Sequence, residues 1–157
     1  MYVGKYVNTH GIKGEIKIKS DIDHKDLIFK VGNVLKLNGK DYKIKNYRVH
    51  KEYDMVSFEG INDINEILPY KGMSVFIDRD SIEENVIFYS DYIGKTLILN
   101  GEKFGEVIDY SNTLNPLLIC KHDDSTFYIP LNGDFIECMS GYSVVLNESA
   151  KELILWK

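Results

Sequence analysis

This chain of 157 residues has only two cysteines and no long apolar run. The two cysteines, Cys120 and Cys138, have neither CxxC nor histidine-paired spacing, so no thiolate zinc site is signalled. Both lie in apolar strand-like stretches and are expected as buried thiols in preference to a disulfide. No stretch approaches the length of a membrane span. The opening Met1-Tyr2-Val3-Gly4 has neither a basic n-region nor an apolar h-region. The chain is therefore expected to be soluble, cytoplasmic and free of membrane. Catalytic signatures are equally sparse. His24, His50 and His122 are scattered without HxH or HExxH spacing, and Gly11 and Gly14 complete neither GxGxxG nor a GK[ST] phosphate loop. Asp123/Asp124 and Glu83/Glu84 sit in turn-like or linker-like settings, where solvated charge is the default. No metal and no cofactor is expected.

Short alternating strands fill the chain instead. Glu15-Ile16-Lys17-Ile18-Lys19 puts isoleucines on one face and charges on the other. Val34–Leu37 leads to Asn38-Gly39, a type I′ hairpin signal. The following run changes phase near Asn46, which predicts a bulge there. Met55–Phe58 and Met73–Ile77 complete about six strands before residue 80. Asp23 is expected to cap one short helix, and Asn62 or Asp63 a second that Pro69 and Gly72 end. A second set follows at 96–99, 104–110, 117–121, 126–129, 135–138 and 142–146, with turns at Asn100-Gly101 and Asp123-Asp124; the pattern assigns no element to the tail Ser149–Trp156. Many short strands with little helix favour closed barrels, because closure removes exposed edges. The expected fold is all-β, with two small β-barrels: residues 1–80, a linker at 81–87, and residues 88–157.

Charge divides along the same line. Residues 1–80 carry 14 Lys/Arg against 12 Asp/Glu, or +2; residues 81–157 carry 5 against 12, or −7. The first half concentrates cations near its glycine turn. Lys5, His10 and Lys13 lie in or beside Thr9–Glu15, Lys17 and Lys19 face outward on their strand, Lys43 and Lys45 share a face, and Arg48, His50 and Lys51 close another. Such a face suits phosphate, though an ordinary solvated face has the same composition. His10, acting as acid or base, is the one catalytic candidate, and no nucleophile or metal partner accompanies it. Phe88-Tyr89-Ser90-Asp91-Tyr92-Ile93-Gly94 gathers aromatic rings at the domain junction, as partner anchors or as seals for the second core.

An ordered set of motifs runs along the chain: Val3-Gly4-Lys5, Thr9-His10-Gly11-Ile12-Lys13-Gly14-Glu15, Arg48-Val49-His50-Lys51, Phe58 to Asn65, Phe88 to Gly94, Gly101 with Gly105-Glu106-Val107, and Ile129-Pro130. Together they resemble the RimM family of bacterial ribosome maturation factors. The resemblance implies a six-stranded, translation-factor-like barrel followed by a PRC-barrel. It also implies late assembly of the small (30S) ribosomal subunit near its head, and 16S rRNA processing without catalysis. Small-subunit ribosomal protein nineteen is the implied partner of the second domain, and a monomer is expected. The implied ribosome-binding pair is Phe88 and Tyr89, with phenylalanine where the family carries its first tyrosine. The chain also departs from the family at Cys138-Met139 and in its closing residues, Ala150–Leu155. Lys5, His10, Lys13, Lys17, Lys19, Arg48 and Lys51 are the expected RNA-facing residues. The competing functions are an RNA-modifying or RNA-processing enzyme built on His10, and a PRC-barrel scaffold of a non-ribosomal system.

Overall fold

The computed structural model describes residues 1–155; Trp156, at the end of the unassigned tail, lies outside them. The chain divides between Val86 and Ile87 into two compact units.

In the first unit, β1 (Tyr2–His10), β2 (Glu15–Lys19), β3 (Val34–Leu37), β4 (Lys40–His50), β5 (Tyr53–Phe58) and β6 (Ser74–Phe76) close into a barrel. The order is β1-β2-β5-β4-β3-β6, antiparallel throughout. Alternation does what the sequence pattern implies. Ile16, Ile18, Leu35, Leu37, Ile44 and Val56 are buried inside, while the intervening lysines point out. Asn38 and Gly39 both have positive φ, 53° and 71°, matching the I′ hairpin. The ladder of β4 shifts register between Ile44 and Asn46, where the phase change predicts a bulge.

One end of the barrel is tied by a buried polar contact. Asp54, 1 % exposed, accepts from Lys25 Nζ at 2.8 Å and from the Tyr47 hydroxyl at 2.6 Å. Phe29 stacks on Tyr47 with centroids 5.1 Å apart, so the single-turn α1 (Lys25–Ile28) is pinned to the sheet. Burial, then the bond to Asp54, drives the Tyr47 phenol well above its usual range.

The helix caps differ in detail from expectation. The N-cap of α1 is His24, not Asp23. It sits in the left-handed region, makes no side-chain cap bond, and begins a helix of only one turn. Asp63 does cap its segment, accepting from the Asn65 amide at 2.9 Å, but the turn is 3₁₀ over Ile64–Glu66. Pro69 lies inside a second 3₁₀ turn, Leu68–Tyr70, near its start. Proline is tolerated there because the first amides of a helical turn have no internal partner.

The second unit contains β7 (Thr96–Leu99), β8 (Glu102–Ser111), β9 (Leu117–His122), β10 (Ser125–Pro130), β11 (Ile136–Ser140) and β12 (Ser143–Leu146), then α2 (Ala150–Leu155). The order is β10-β9-β8-β7-β12-β11, with β12 parallel to β7. This sheet curls around one core that includes Leu97, Val107, Leu118, Phe127, Ile129 and Val144. Its ladder ends at β10 and β11, so the closure expected of a barrel is not completed by a continuous ladder. Cys120 is buried there, and burial pushes its thiol up to about 12. Cys138 corrects the expectation of two buried thiols: it is exposed. A register shift between Ile136 and Cys138 on the edge strand β11 breaks the alternation that would have turned it inward.

Candidate nucleic-acid interface

The turn from β1 to β2 is shaped by packing. Gly14 has φ +102°, and a Cβ there would lie 2.8 Å from Ile61 Cγ2. The Ile64 amide donates to the Ile12 carbonyl at 2.9 Å, so the turn leans on the segment after β5. Gly14 is therefore required by Ile61 and by the backbone, with no ligand needed to explain it. Lys13 is exposed at the tip beside Ile12, which is 78 % exposed. An open cleft of about 710 Å³ lies next to the turn, lined by His10, Lys13, Glu15, Lys45, Asn46 and Ser57 among others.

From this cleft the outer face of β2, β5 and β4 carries a set of cations organised by one ion pair. Arg48 donates from Nε and Nη2 to the two oxygens of Glu15 at 2.9 and 2.7 Å. The pair spans β5, since Glu15 is on β2 and Arg48 on β4. Met55 sits in register with both Lys17 and Arg48, on this outward side, yet has no exposure. The stems of these long side chains cover it while their charged ends reach water. The Arg48 hydrogen bond holds the Glu15 carboxyl below the usual carboxylate range against the opposing effect of burial.

Around this pair the positive charge is crowded. The His10 and His50 rings stand 5.9 Å apart. Lys17 Nζ lies 5.5 Å from the centroid of the Tyr53 ring. Desolvation, then the fields of Arg48, Lys51, His10 and Lys17, push the His50 imidazole below its ordinary value. Four of the expected RNA-facing residues, His10, Lys17, Arg48 and Lys51, thus belong to one cluster, and Lys13 stands at the turn beside it. Lys5 and Lys19 do not. They pair with each other, Lys5 five residues and about 16 Å back along β1 from His10, and Lys19 two residues, about 7 Å, beyond Lys17 on β2. Lys45 lines the cleft, whereas Lys43 pairs with Val34 on β3.

Sequence reasoning passed over Glu15 and Met55, the residues that organise the cluster. Glu15 was inside the glycine-turn motif, but which cation it holds depends on β5 lying between β2 and β4.

In the second unit, Phe88 is wholly buried, and its amide donates to Asp91 Oδ2 at 2.8 Å. Tyr89 is half-buried, edge-on to Tyr110 at 5.9 Å. Tyr89 and Tyr92 line a cleft of about 340 Å³ with Leu131, Ile136, Cys138 and Met139. Among the described residues there is no group of three His, Cys, Asp or Glu placed to hold a metal, and no helix long and apolar enough to cross a membrane.

Residues 1–82 match the model of the RimM N-terminal domain. Ribosome maturation factors RimM from Staphylococcus aureus strains MRSA252 and JH9 are each 42 % identical over 145 residues, covering 86 % of this chain and 86 % of theirs. The chain belongs to the RimM family. Among solved structures, a RimM protein of Pseudomonas aeruginosa is similar at 21 % identity and TM-score 0.47, covering 96 % of this chain and 98 % of its own. The N-terminal domain of RimM from Thermus thermophilus is similar at 13 % identity and TM-score 0.45, covering 53 % of this chain and 93 % of its own. Family membership rests on the two sequence matches, one within the first unit and one across most of the chain.

Proposed function

We propose that this chain is a maturation factor of the small ribosomal subunit that works by binding 16S rRNA and making no chemical change. The observation that carries the reading is the 42 % identity to ribosome maturation factors over 86 % of both chains. The geometry supports binding over turnover. His10 has a second imidazole for its ring neighbour, and the adjacent Glu15 is ionised and held at both oxygens by Arg48. A carboxylate fixed in that way is a poor proton donor near neutral pH. Lys13, Arg48 and Lys51 are exposed around it and Lys17 is half-buried, an arrangement that suits a phosphate backbone.

The second unit supplies the protein-facing half of the reading. Its strongly acidic sequence suits a basic partner, assigned here as small-subunit ribosomal protein nineteen near the subunit head. Phe88 anchors the turn from inside, and Tyr89 with Tyr92 presents aromatic surface beside the groove. The factor acts as a cytoplasmic monomer. Affinity capture with the tagged chain tests this: immature small subunits and ribosomal protein nineteen are expected together. Recovery of neither, or cleavage of precursor rRNA by the purified chain alone, overturns the reading.

A further inference from the structure

A different part of the first barrel combines aromatic rings with lysines. On the outer face of adjacent strands, Lys36 of β3 is in register with Phe76 of β6, and Phe76 with Tyr2 of β1. One row along, Ser74 pairs with Lys5, and Lys5 with Lys19. Inward positions in the same strands, Val75 and Leu37, are buried, so pleating puts this whole set on the outside. The two rings are half exposed and adjacent. Tyr2 is 48 % and Phe76 44 % exposed, with centroids 5.8 Å apart in an edge-to-face arrangement. Such a pair usually lies beneath something apolar and flat.

Charge indicates what that is. Lys5, Lys19 and Lys36 border the rings, and all three are exposed. Asp41 lies 4.0 Å from Lys36 Nζ, with both side chains well exposed. A contact so long and solvated is weak and is readily exchanged for a phosphate. Apolar protein surface would gain little from three flanking ammonium groups. A single nucleic-acid strand uses both features, because its unpaired bases stack on rings while its phosphates meet lysines.

We propose that the outer face formed by Tyr2, Phe76, Lys36, Lys5 and Lys19 is a stacking platform for single-stranded RNA. Its rings lie more than about 16 Å along β1 from His10, and its nearest approach to the His10–Arg48 cluster is at Lys19, two residues, or about 7 Å, beyond Lys17 on β2. It shares with the function proposed above only its ligand class. A duplex cannot use it, since paired bases hide their faces in the stack. Met73 and Phe76 border a shallow recess of about 440 Å³ with Lys36 and Asn38, which offers room beside the rings for a second base.

The test titrates the full chain into fluorescein-labelled heptauridylate and, separately, a labelled RNA duplex, read by anisotropy. The parent is expected to favour heptauridylate. Changing both rings, Tyr2→Leu with Phe76→Leu, keeps apolar cover but removes the stacking faces, and is expected to weaken binding about tenfold or more. Lys36→Gln is expected to weaken it a few-fold and to flatten the log–log salt slope by about 0.7. Circular dichroism confirms that each variant is folded. A double-leucine variant that binds like the parent, or a parent that favours duplex, overturns the proposal. So does self-association of the parent that the leucine changes abolish. Lys51→Glu, at the end of the His10–Arg48 cluster away from Lys5 and Lys19, separates the two readings: it is expected to lower subunit cosedimentation while weakening heptauridylate binding less than the double-leucine change does. A loss of heptauridylate binding in Lys51→Glu as large as in the double-leucine variant assigns the strand to the other cluster and overturns the platform.

Discussion

At the scale of single residues, Gly14 shows how a motif glycine can serve packing. Gly14→Ala places a Cβ against Ile61 and forces a positive φ, so a loss of about 2 kcal/mol in urea unfolding is expected. Combining it with Ile61→Ala should recover only part of that loss, since the backbone strain persists; full recovery would show that the clash alone mattered. Tyr47→Phe removes one of two bonds to buried Asp54 and is expected to cost about 1.5 kcal/mol by the same measurement. His50 sets a pH dependence. Its imidazole is held below the ordinary value of about 6.5, so in the folded protein it takes up a proton less readily than in the unfolded chain. Its contribution to stability is present above that ordinary value and is lost as pH falls. A bound phosphate offsets the surrounding cations and reverses the shift. RNA affinity at fixed salt should therefore rise as pH falls from about 7.5 to 5.5, and His50→Asn should flatten that rise. An unchanged profile in the variant would remove His50 from the interface. These residues were unevenly legible. The cationic ones could be read as candidates from their alternation, but Glu15, Met55 and Asp54 act through partners on strands distant in sequence.

At the scale of elements, alternation and turn chemistry were sufficient to place most strands. β7 begins and ends where the apolar pattern does, and the bulge at Asn46 follows from a phase change visible in the chain. Where the pattern misled, a neighbouring strand decided. Cys138 reads as core by its run, yet the register shift on edge strand β11 turns it out. The parallel pairing of β12 with β7 has no local signature, because parallel neighbours are brought together by the path of the chain between them. Gly105 marks another close approach: a Cβ there would collide with the backbone carbonyl oxygen of Lys121, which belongs to the β8–β9 ladder. Gly105→Ala is expected to destabilise the second unit by about 2 kcal/mol. Hydrogen exchange should report the change in β8 and β9 and leave β2 and β5 as they were. Equal loosening of both units would contradict their treatment as separate cores.

At the scale of the molecule, the net negative charge belongs to the second unit: Met1–Val86 carries 14 Lys/Arg against 14 Asp/Glu and is neutral, whereas residues 87–157 carry 5 against 10, or −5. If about three phosphates are neutralised on the His10–Arg48 face, the log–log salt slope for single-stranded rRNA is expected near −2, at about 0.7 per contact. Lys13→Glu should weaken that binding, whereas Tyr89→Ala should lower cosedimentation with immature subunits with little change in salt dependence. Both variants cosedimenting like the parent would overturn the site assignment. The sequence by itself determined the all-β class, most strand positions, the charge division and the family, because period-two alternation, turn residues and ordered motifs are properties of neighbours along the chain. Only the tertiary structure decided which cations act together. Barrel closure lays β5 between β2 and β4, joins Glu15 to Arg48 over Met55, and carries Lys5 and Lys19 away to the open rings of Tyr2 and Phe76. Those groupings depend on strand order and register, which place side chains from distant segments within a few ångströms of one another.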